Sequence, residues 1–231
     1  MKRHLARILI ILSLTMNLLC VIGAVVIAEK KGGFPWLSHK VVEVFCPAEA
    51  PGIRDDWQQP DRVISDLGLK LGTRVADIGC GRGYFTLRLA KSVGEQGLVF
   101  AVDVDAPTLD LLKKQAEQEH LTNVVVVVSE PVDTKLQPEC VDVLFVCDVL
   151  HEVPEAQRLP LLKSAVQALK PGGFLYLIDW RKSRDVTFDP YEKLIRRDDL
   201  IRICTDAGLL LDMEFAYLKY QVFLRFRKLM K

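Results

Sequence analysis

The first residues with chemical consequence are an acid and three glycines in Val75-Ala76-Asp77-Ile78-Gly79-Cys80-Gly81-Arg82-Gly83-Tyr84-Phe85-Thr86. Glycines in such a turn let the backbone approach a ligand closely and adopt conformations barred to other residues. The spacing is Gly-x-Gly-x-Gly, not the Gly-x-Gly-x-x-Gly of dinucleotide-binding turns, and no Gly-Lys-Ser/Thr follows as a P-loop requires. A carboxylate at Asp77 would repel a pyrophosphate and would suit a ligand carrying an ammonium or a sulfonium. Asp103 closes the apolar run Val99-Phe100-Ala101-Val102, about 20 residues past the glycine turn, where an acid accepts hydrogen bonds from ribose hydroxyls. Its bland alternative is a cap for the helix that follows. The third group is Cys147-Asp148-Val149-Leu150-His151-Glu152-Val153, directly after another apolar run. It contains His151, an imidazole placed to act as a base. His4, His39 and His120 lie away from these motifs.

These residues need a scaffold that brings strand ends together, and the hydrophobic pattern supplies one. Apolar strand signals at Arg74–Ile78, Leu98–Val102, Asn123–Val128, Val141–Val146 and Phe174–Ile178 alternate with helical spacing at Tyr84–Val93, Ala106–Gln118 and Glu155–Leu169. Continuous apolar strands separated by amphipathic helices specify a parallel sheet covered on both faces. The crevice at the carboxyl ends of such strands is where cofactors bind. Leu169-Lys170-Pro171-Gly172-Gly173 is expected as a tight turn between helix and strand. After a helix over Arg197–Ala207, the runs Leu210–Phe215 and Gln221–Arg227 lie too close together for a crossover, so they pair antiparallel. The expected fold is α/β: a doubly wound, mostly parallel seven-stranded sheet ending in an antiparallel pair, preceded by one N-terminal apolar helix. The basic stretch Leu224-Arg225-Phe226-Arg227-Lys228 is expected as an edge strand kept soluble by charge.

With these motifs in order, the chain resembles the class I (Rossmann-like) S-adenosylmethionine-dependent methyltransferases, over about Asp56 to Arg227. Asp77–Gly83 looks like the family's first motif, Asp103 its ribose acid, Asp148–Val153 its fourth-strand motif, and Leu169–Gly173 its Leu-x-Pro-Gly-Gly turn. The resemblance is closest to the small-molecule branch, which includes quinone-type and arsenite methyltransferases. It implies S-adenosyl-L-methionine as cofactor. Gly79, Gly81 and Gly83 would pass under it, Asp77 would face the methionine moiety, Asp103 would bind the ribose, and Val104 and Asp105 would neighbour the adenosine. The adenine contact would come from Ser129–Asp133, where Glu130 and Asp133 both qualify. Asp148 is expected at the cofactor and His151 as the catalytic base. Asp56 and Trp57 are candidates to close over the pocket, and Asp179-Trp180-Arg181 to line the acceptor. Alignment of nucleophile and methyl supplies most of the catalysis in such a transfer.

Composition bounds the rest. The chain has 231 residues, 31 Lys+Arg and 30 Asp+Glu; residues 1–28 hold three of the former (Lys2, Arg3, Arg7) and none of the latter, which leaves the remainder at −2. A near-neutral domain carries no nucleic-acid footprint. The six cysteines, Cys20, Cys46, Cys80, Cys140, Cys147 and Cys204, form no Cys-x-x-Cys pair, so no metal site is expected, and they do not match the arsenite branch's pattern.

Ile8 to Ala28 is free of charge and long enough to cross a hydrocarbon core. Residues 1–31 are therefore expected as a signal-anchor or transmembrane segment, or a signal peptide cleaved after Val26-Ile27-Ala28. Residues 32–60 follow as a Pro- and Gly-rich connector, and 61–231 as the methyltransferase domain. Membrane association through residues 8–28 is expected, with the domain facing the cytosol, where S-adenosylmethionine is made. The expected activity is methyl transfer to a small, lipophilic acceptor such as a quinone precursor or an apolar thiol. The competing readings are a non-catalytic membrane-anchored binding module of the same fold and a nicotinamide-dependent oxidoreductase.

Overall fold

A computed structural model describes residues 51–181 and 194–230, with side chains from Arg54 onward. The expected apolar span at residues 8–28 lies outside the described residues. Among the described residues no helix is long and apolar enough to cross a membrane. The compact unit that carries the sheet begins at Trp57.

In chain order the elements are α1 (Pro51–Gln58), α2 (Pro60–Asp66), β1 (Arg74–Ile78), α3 (Thr86–Val93), β2 (Leu98–Asp103), α4 (Ala106–Gln118), β3 (Val124–Val128), β4 (Val141–Cys147), α5 (Glu155–Ala168), β5 (Leu169–Trp180), α6 (Arg197–Asp206), β6 (Leu209–Phe215) and β7 (Gln221–Lys228). The strands form one seven-stranded sheet in the order β3-β2-β1-β4-β5-β7-β6. β1 to β5 are parallel, and β7 pairs antiparallel with both β5 and β6. The expected doubly wound, mostly parallel seven-stranded sheet with its antiparallel end pair is what the structure shows, and the expected N-terminal apolar helix lies outside the described residues. The chain steps outward from β1 to β3, then returns to the other side of β1 for β4, so the order reverses between β1 and β4. A crevice opens outside the carboxyl ends at such a switch point.

Strand alternation sends successive side chains to opposite faces. Val75, Val99, Val143 and Phe145 pack with Val63, Phe85 and Leu89 of the α2–α3 side. Ala76, Ile78, Leu144 and Val146 pack with Leu161, Leu162 and Leu200 of the α5–α6 side. α4 adds Leu109, Leu112 and Ala116 against Ala101. Asn123, buried, donates from Nδ2 to Ala90 O and Gly94 O at 2.9 Å each, which satisfies carbonyls at the C-terminus of α3. Asn123→Ala orphans those acceptors, at about 1–3 kcal/mol, and a thermal melt is expected to register the loss.

The segment read as a Pro- and Gly-rich connector ends in a helix, α1. Three local expectations change. β3 is an edge strand, and the link from β3 to β4 contains no helix, so Val125 and Val128 are 40% and 54% exposed despite the all-valine run. The Leu-x-Pro-Gly-Gly segment lies inside β5: Leu169 pairs with Val141 and Phe174 with Val143, and the residues between bulge outward through Gly172 at φ 78°. The strand therefore starts early and kinks, where a turn was expected. β7 is interior, so two of its cations, Arg225 and Lys228, find partners, while Arg227 stays exposed. Arg225 Nε donates to Asp212 Oδ2 at 2.6 Å, and Lys228 Nζ donates to Val166 O at 2.8 Å.

Candidate cofactor and acceptor site

The carboxyl ends of β1, β2, β4 and β5 gather Asp77, Asp103, Asp148 and Asp179 along one edge of the sheet. Backbone register puts Asp77 beside Ala101 and Phe145. Asp77 is buried, and its Oδ2 accepts from Thr86 Oγ1 at 2.6 Å. Thr86 begins α3, so this bond ties the strand end to the helix beyond the glycine turn.

The three glycines of that turn serve different ends. A Cβ on Gly79 would fall 2.4 Å from Val149 Cγ2, and one on Gly83 2.1 Å from Leu112 Cδ1. These two are small because side chains from the fourth-strand motif and from α4 crowd them. Gly81 has φ 52° and nothing within 4 Å of a Cβ position. The space above it is open, as a ligand laid across the turn requires. Asp103 Oδ2 accepts from Gly81 N at 2.9 Å, and Oδ1 accepts from Asp105 N at 3.0 Å. Asp103 thus braces the turn and the start of α4 together. The N-cap position of α4 is held by Asp105, whose Oδ2 accepts from Thr108 Oγ1 at 2.8 Å and makes no capping bond to the helix backbone.

This division of labour predicts a contrast between variants. Gly81→Ala is expected to keep the fold, at about 1–2 kcal/mol for an alanine held at positive φ, while its methyl intrudes on the ligand side. Gly83→Ala adds steric overlap of about 1–3 kcal/mol to the same backbone cost. Thermal melts should rank Gly83→Ala well below Gly81→Ala. Titration with S-adenosylhomocysteine should show the binding defect in the more stable variant.

Beyond β2, Val104 is exposed. In the loop after β3, Glu130 and Asp133 form a tight two-way bridge, N–H to O at 2.9 and 3.2 Å. Lys135 Nζ lies 2.7 Å from Glu130 Oε1 and 2.9 Å from Asp133 Oδ2. Asp133 also accepts from the Lys135 backbone N–H, which with the Lys135 side chain holds its carboxyl below the usual range. Both adenine candidates are thus engaged within their own loop.

After β4 the chain turns through Asp148 at φ 60°, a conformation tolerated best by Gly, Asn and Asp. Two glutamines hold it. Gln58 Nε2 lies 3.1 Å from Asp148 Oδ2, 3.1 Å from Gln221 Oε1 and 3.2 Å from Cys147 Sγ, while Gln221 Nε2 donates to Asp148 Oδ1. Both glutamines are 0% exposed. Asp148, expected at the cofactor, is thus the centre of a buried polar knot joining α1, β4 and β7. The residue before Gln58, Trp57, packs on Trp180 at the end of β5, ring centroids 5.0 Å apart.

His151 sits one turn beyond Asp148. Its Nδ1 is 2.7 Å from Asp179 Oδ1, and its backbone N–H donates to Asp179 Oδ2 at 3.2 Å. Asp179 Oδ1 also accepts from Trp180 N, so it faces Nδ1 as an acceptor and that nitrogen carries the hydrogen. His151 Nε2 is 3.3 Å from Glu152 Oε1, an exposed carboxylate. Burial disfavours the imidazolium, but the Asp179 hydrogen bond, with the charges of Asp179, Asp148 and Glu152, outweighs it and raises the His151 pKa. The sequence reading found His151 and named Asp179 only as a lining residue. It missed Gln58 and Gln221, which lie 90 and 73 positions from Asp148.

A separate cleft of about 460 Å3 opens at the opposite, amino edge of the sheet, lined by Leu67, Thr73, Asp142, Pro171, Phe174 and Arg225. It is remote from the glycine turn, and its Lys170 is tied to Asp142 at 2.6 Å. Among the described residues no His, Cys, Asp or Glu cluster could hold a metal ion.

Comparisons with known proteins agree with this geometry. Residues 75–173 match the methyltransferase-domain family. A S-adenosylmethionine-dependent methyltransferase from Aquifex aeolicus superposes with a TM-score of 0.72 at 28% identity, covering 82% of this chain and 97% of that one. Demethylmenaquinone methyltransferase of Staphylococcus aureus is 30% identical over 123 residues, 53% of this chain and 48% of that protein. The chain thus matches about half the length of the curated relatives. The [4+2]-cyclase SpnF shares the fold, with a TM-score of 0.64 at 17% identity over 75% of this chain and 82% of that one.

The switch-point crevice, the open glycine turn and the ordered acids define a Rossmann-like methyltransferase domain. Gly81 and Asp103 fit S-adenosylmethionine, one as an open floor and the other as a carboxylate braced beside it. Residues 75–173 carry the methyltransferase-domain match, and the fold is that of the class I S-adenosylmethionine-dependent methyltransferases; S-adenosylmethionine is the cofactor this likeness supports.

Proposed function

We propose that the chain transfers the methyl group of S-adenosylmethionine to a small lipophilic acceptor, working at a membrane through residues 8–28 with its domain on the cytosolic side. The observation that carries the cofactor half is the turn itself: open space above Gly81, with the Asp103 carboxylate bonded to the Gly81 amide. When bound, the cofactor supplies an electrophilic methyl on a sulfonium. The chain would supply the rest. Asp103 would take the ribose hydroxyls, Asp77 would favour the cationic methionine end from beneath the turn, and Gly79, Gly81 and Gly83 would let the backbone lie close. Val104 would lie beside the adenosine, with Glu130 and Asp133 as the loop acids nearest the adenine.

Three features support a lipophilic acceptor. The Trp57–Trp180 pair, packed at the end of β5, would give the acceptor an aromatic wall. The uncharged run from Ile8 to Ala28 would hold the domain where such a molecule partitions. The Staphylococcus aureus relative is named for a demethylmenaquinone, a quinone carrying a lipid tail.

The test is calorimetry on the full chain in detergent micelles, with S-adenosylhomocysteine and NADH titrated in parallel. Saturable binding of S-adenosylhomocysteine near micromolar, with no heat from NADH, is the expected result. Absent binding by folded protein would overturn the cofactor assignment and leave a binding module of this fold. NADH binding in its place would make it an oxidoreductase. Flotation of the full chain with liposomes, compared with residues 30–231, tests the anchor.

A further inference from the structure

Asp179 is 1% exposed, yet three hydrogen-bond donors converge on its carboxylate: His151 Nδ1, His151 N and Trp180 N. A buried acid that takes both the ring and the backbone of one histidine fixes that ring in position and tautomer. The hydrogen is on Nδ1, so the neutral ring offers the Nε2 lone pair on the side away from Asp179. The one described side chain recorded against Nε2 is Glu152, at 3.3 Å and 54% exposed. Glu152 pairs with Nε2 only when the ring is protonated; in the neutral ring both atoms are acceptors, so a hydroxyl donor is favoured at Nε2. The motif lies directly after β4 and its partner near the end of β5, beside Trp180, which packs on Trp57.

We propose that Asp179 is a positioning residue that aims His151 at the acceptor, so that His151 removes the proton of an aryl or enol hydroxyl as the methyl is transferred. This rests on the methyltransferase reading above. The acceptor O–H bond breaks and its proton goes to Nε2. The electron pair left behind, on oxygen or conjugated into the ring, forms the new bond to the methyl carbon. The sulfur–methyl bond breaks with its pair going to sulfur, which loses its positive charge, and the imidazolium later releases its proton to water. Charge and atoms balance without a further reactant.

A hydroxyl fits this arrangement better than an amine. A free amine attacks with a lone pair it already has and sheds a proton afterwards. A hydroxyl is a poor nucleophile until its proton leaves, so it needs a base in the transition state. The acids facing His151 are Asp148, Glu152 and Asp179. They would oppose a preformed oxyanion, which makes proton removal during transfer the favoured course.

The experiment uses full chain in micelles, 1,4-dihydroxynaphthalene as acceptor probe, 1,4-dimethoxynaphthalene as blocked control, and labelled S-adenosylmethionine. The His151 pKa is raised, and the base is its neutral form. The rate is therefore expected to rise with pH through that raised pKa to a plateau. Asp179→Asn withdraws the acceptor charge that stabilises the imidazolium, so its inflection should move to lower pH and its plateau should fall at least tenfold. His151→Gln, which keeps Asp179 in place, should abolish the inflection and lower the rate by about 100- to 10,000-fold. Both variants should keep S-adenosylhomocysteine affinity within about twofold, which also certifies their fold. An unmoved inflection in Asp179→Asn, a retained inflection in His151→Gln, or a wild-type chain that binds S-adenosylhomocysteine but leaves the dihydroxy probe unmethylated would overturn the inference. Failure to bind S-adenosylhomocysteine would overturn the cofactor reading and this inference with it.

Discussion

Asp103→Ala is expected to weaken S-adenosylhomocysteine binding by on the order of 100-fold while the domain still folds. A carboxylate offers about four lone-pair sites. Two are used by Gly81 N and Asp105 N, at 2.9 and 3.0 Å, which leaves one site on each oxygen for the pair of ribose hydroxyls. Hydrogen bonds to a charged group contribute about 1.5–3 kcal/mol each, and each 1.4 kcal/mol is tenfold in affinity. Losing two such bonds gives a 100-fold loss at the lower end of that range, and slackening of the Gly81 turn adds to it. Asp103→Asn retains one acceptor oxygen and should fall between, near tenfold. Calorimetry on the three proteins decides the matter. Equal affinities would remove Asp103 from the ribose.

The motif glycines and the strand-end acids were legible because their signals are local. A glycine turn between an apolar strand and a helix, followed one strand later by an acid, is contiguous in sequence, and the parallel sheet brings those ends together without further information. What the sequence hid was which glycine answers to which neighbour. Gly79 and Gly83 look like Gly81 in the chain, and only the positions of Val149 and Leu112 separate two packing glycines from one that faces open space. Edge and interior were hidden for the same reason. Five valines read as a buried strand, but β3 ends up at the margin. Arg225 and Lys228 read as edge charges, but β7 inserts between β5 and β6. Strand order is a property of the whole sheet, and no window of one strand contains it.

The polar knot around Asp148 is the extreme case, and it carries the second large expected effect. Gln221→Leu should lower the stability of the domain by about 2–4 kcal/mol, the cost of removing one charge-assisted donor from Asp148 Oδ1 and one acceptor from Gln58 Nε2 in a buried site, while Gln58 keeps its bond to Asp148 Oδ2. Gln58 and Gln221 are fully buried, and the remaining partial exposure of Asp148 keeps the figure at the lower end for a buried charge. For a domain of this size the melting temperature should fall by about 2–4 °C per kcal/mol. The double variant Asp148→Ala/Gln221→Leu removes the charge with its donor, so its loss should be smaller than the sum of the single losses by about 1 kcal/mol or more. Additive losses would show that the two side chains do not act together. The knot also fixes Gln58, one residue from the Trp57 ring that packs on Trp180. Gln221→Leu is therefore expected to impair acceptor methylation more than S-adenosylhomocysteine binding, because the Asp103–Gly81 brace lies on the other side of β1. A variant that loses both equally would place the knot under the cofactor and not beside the acceptor.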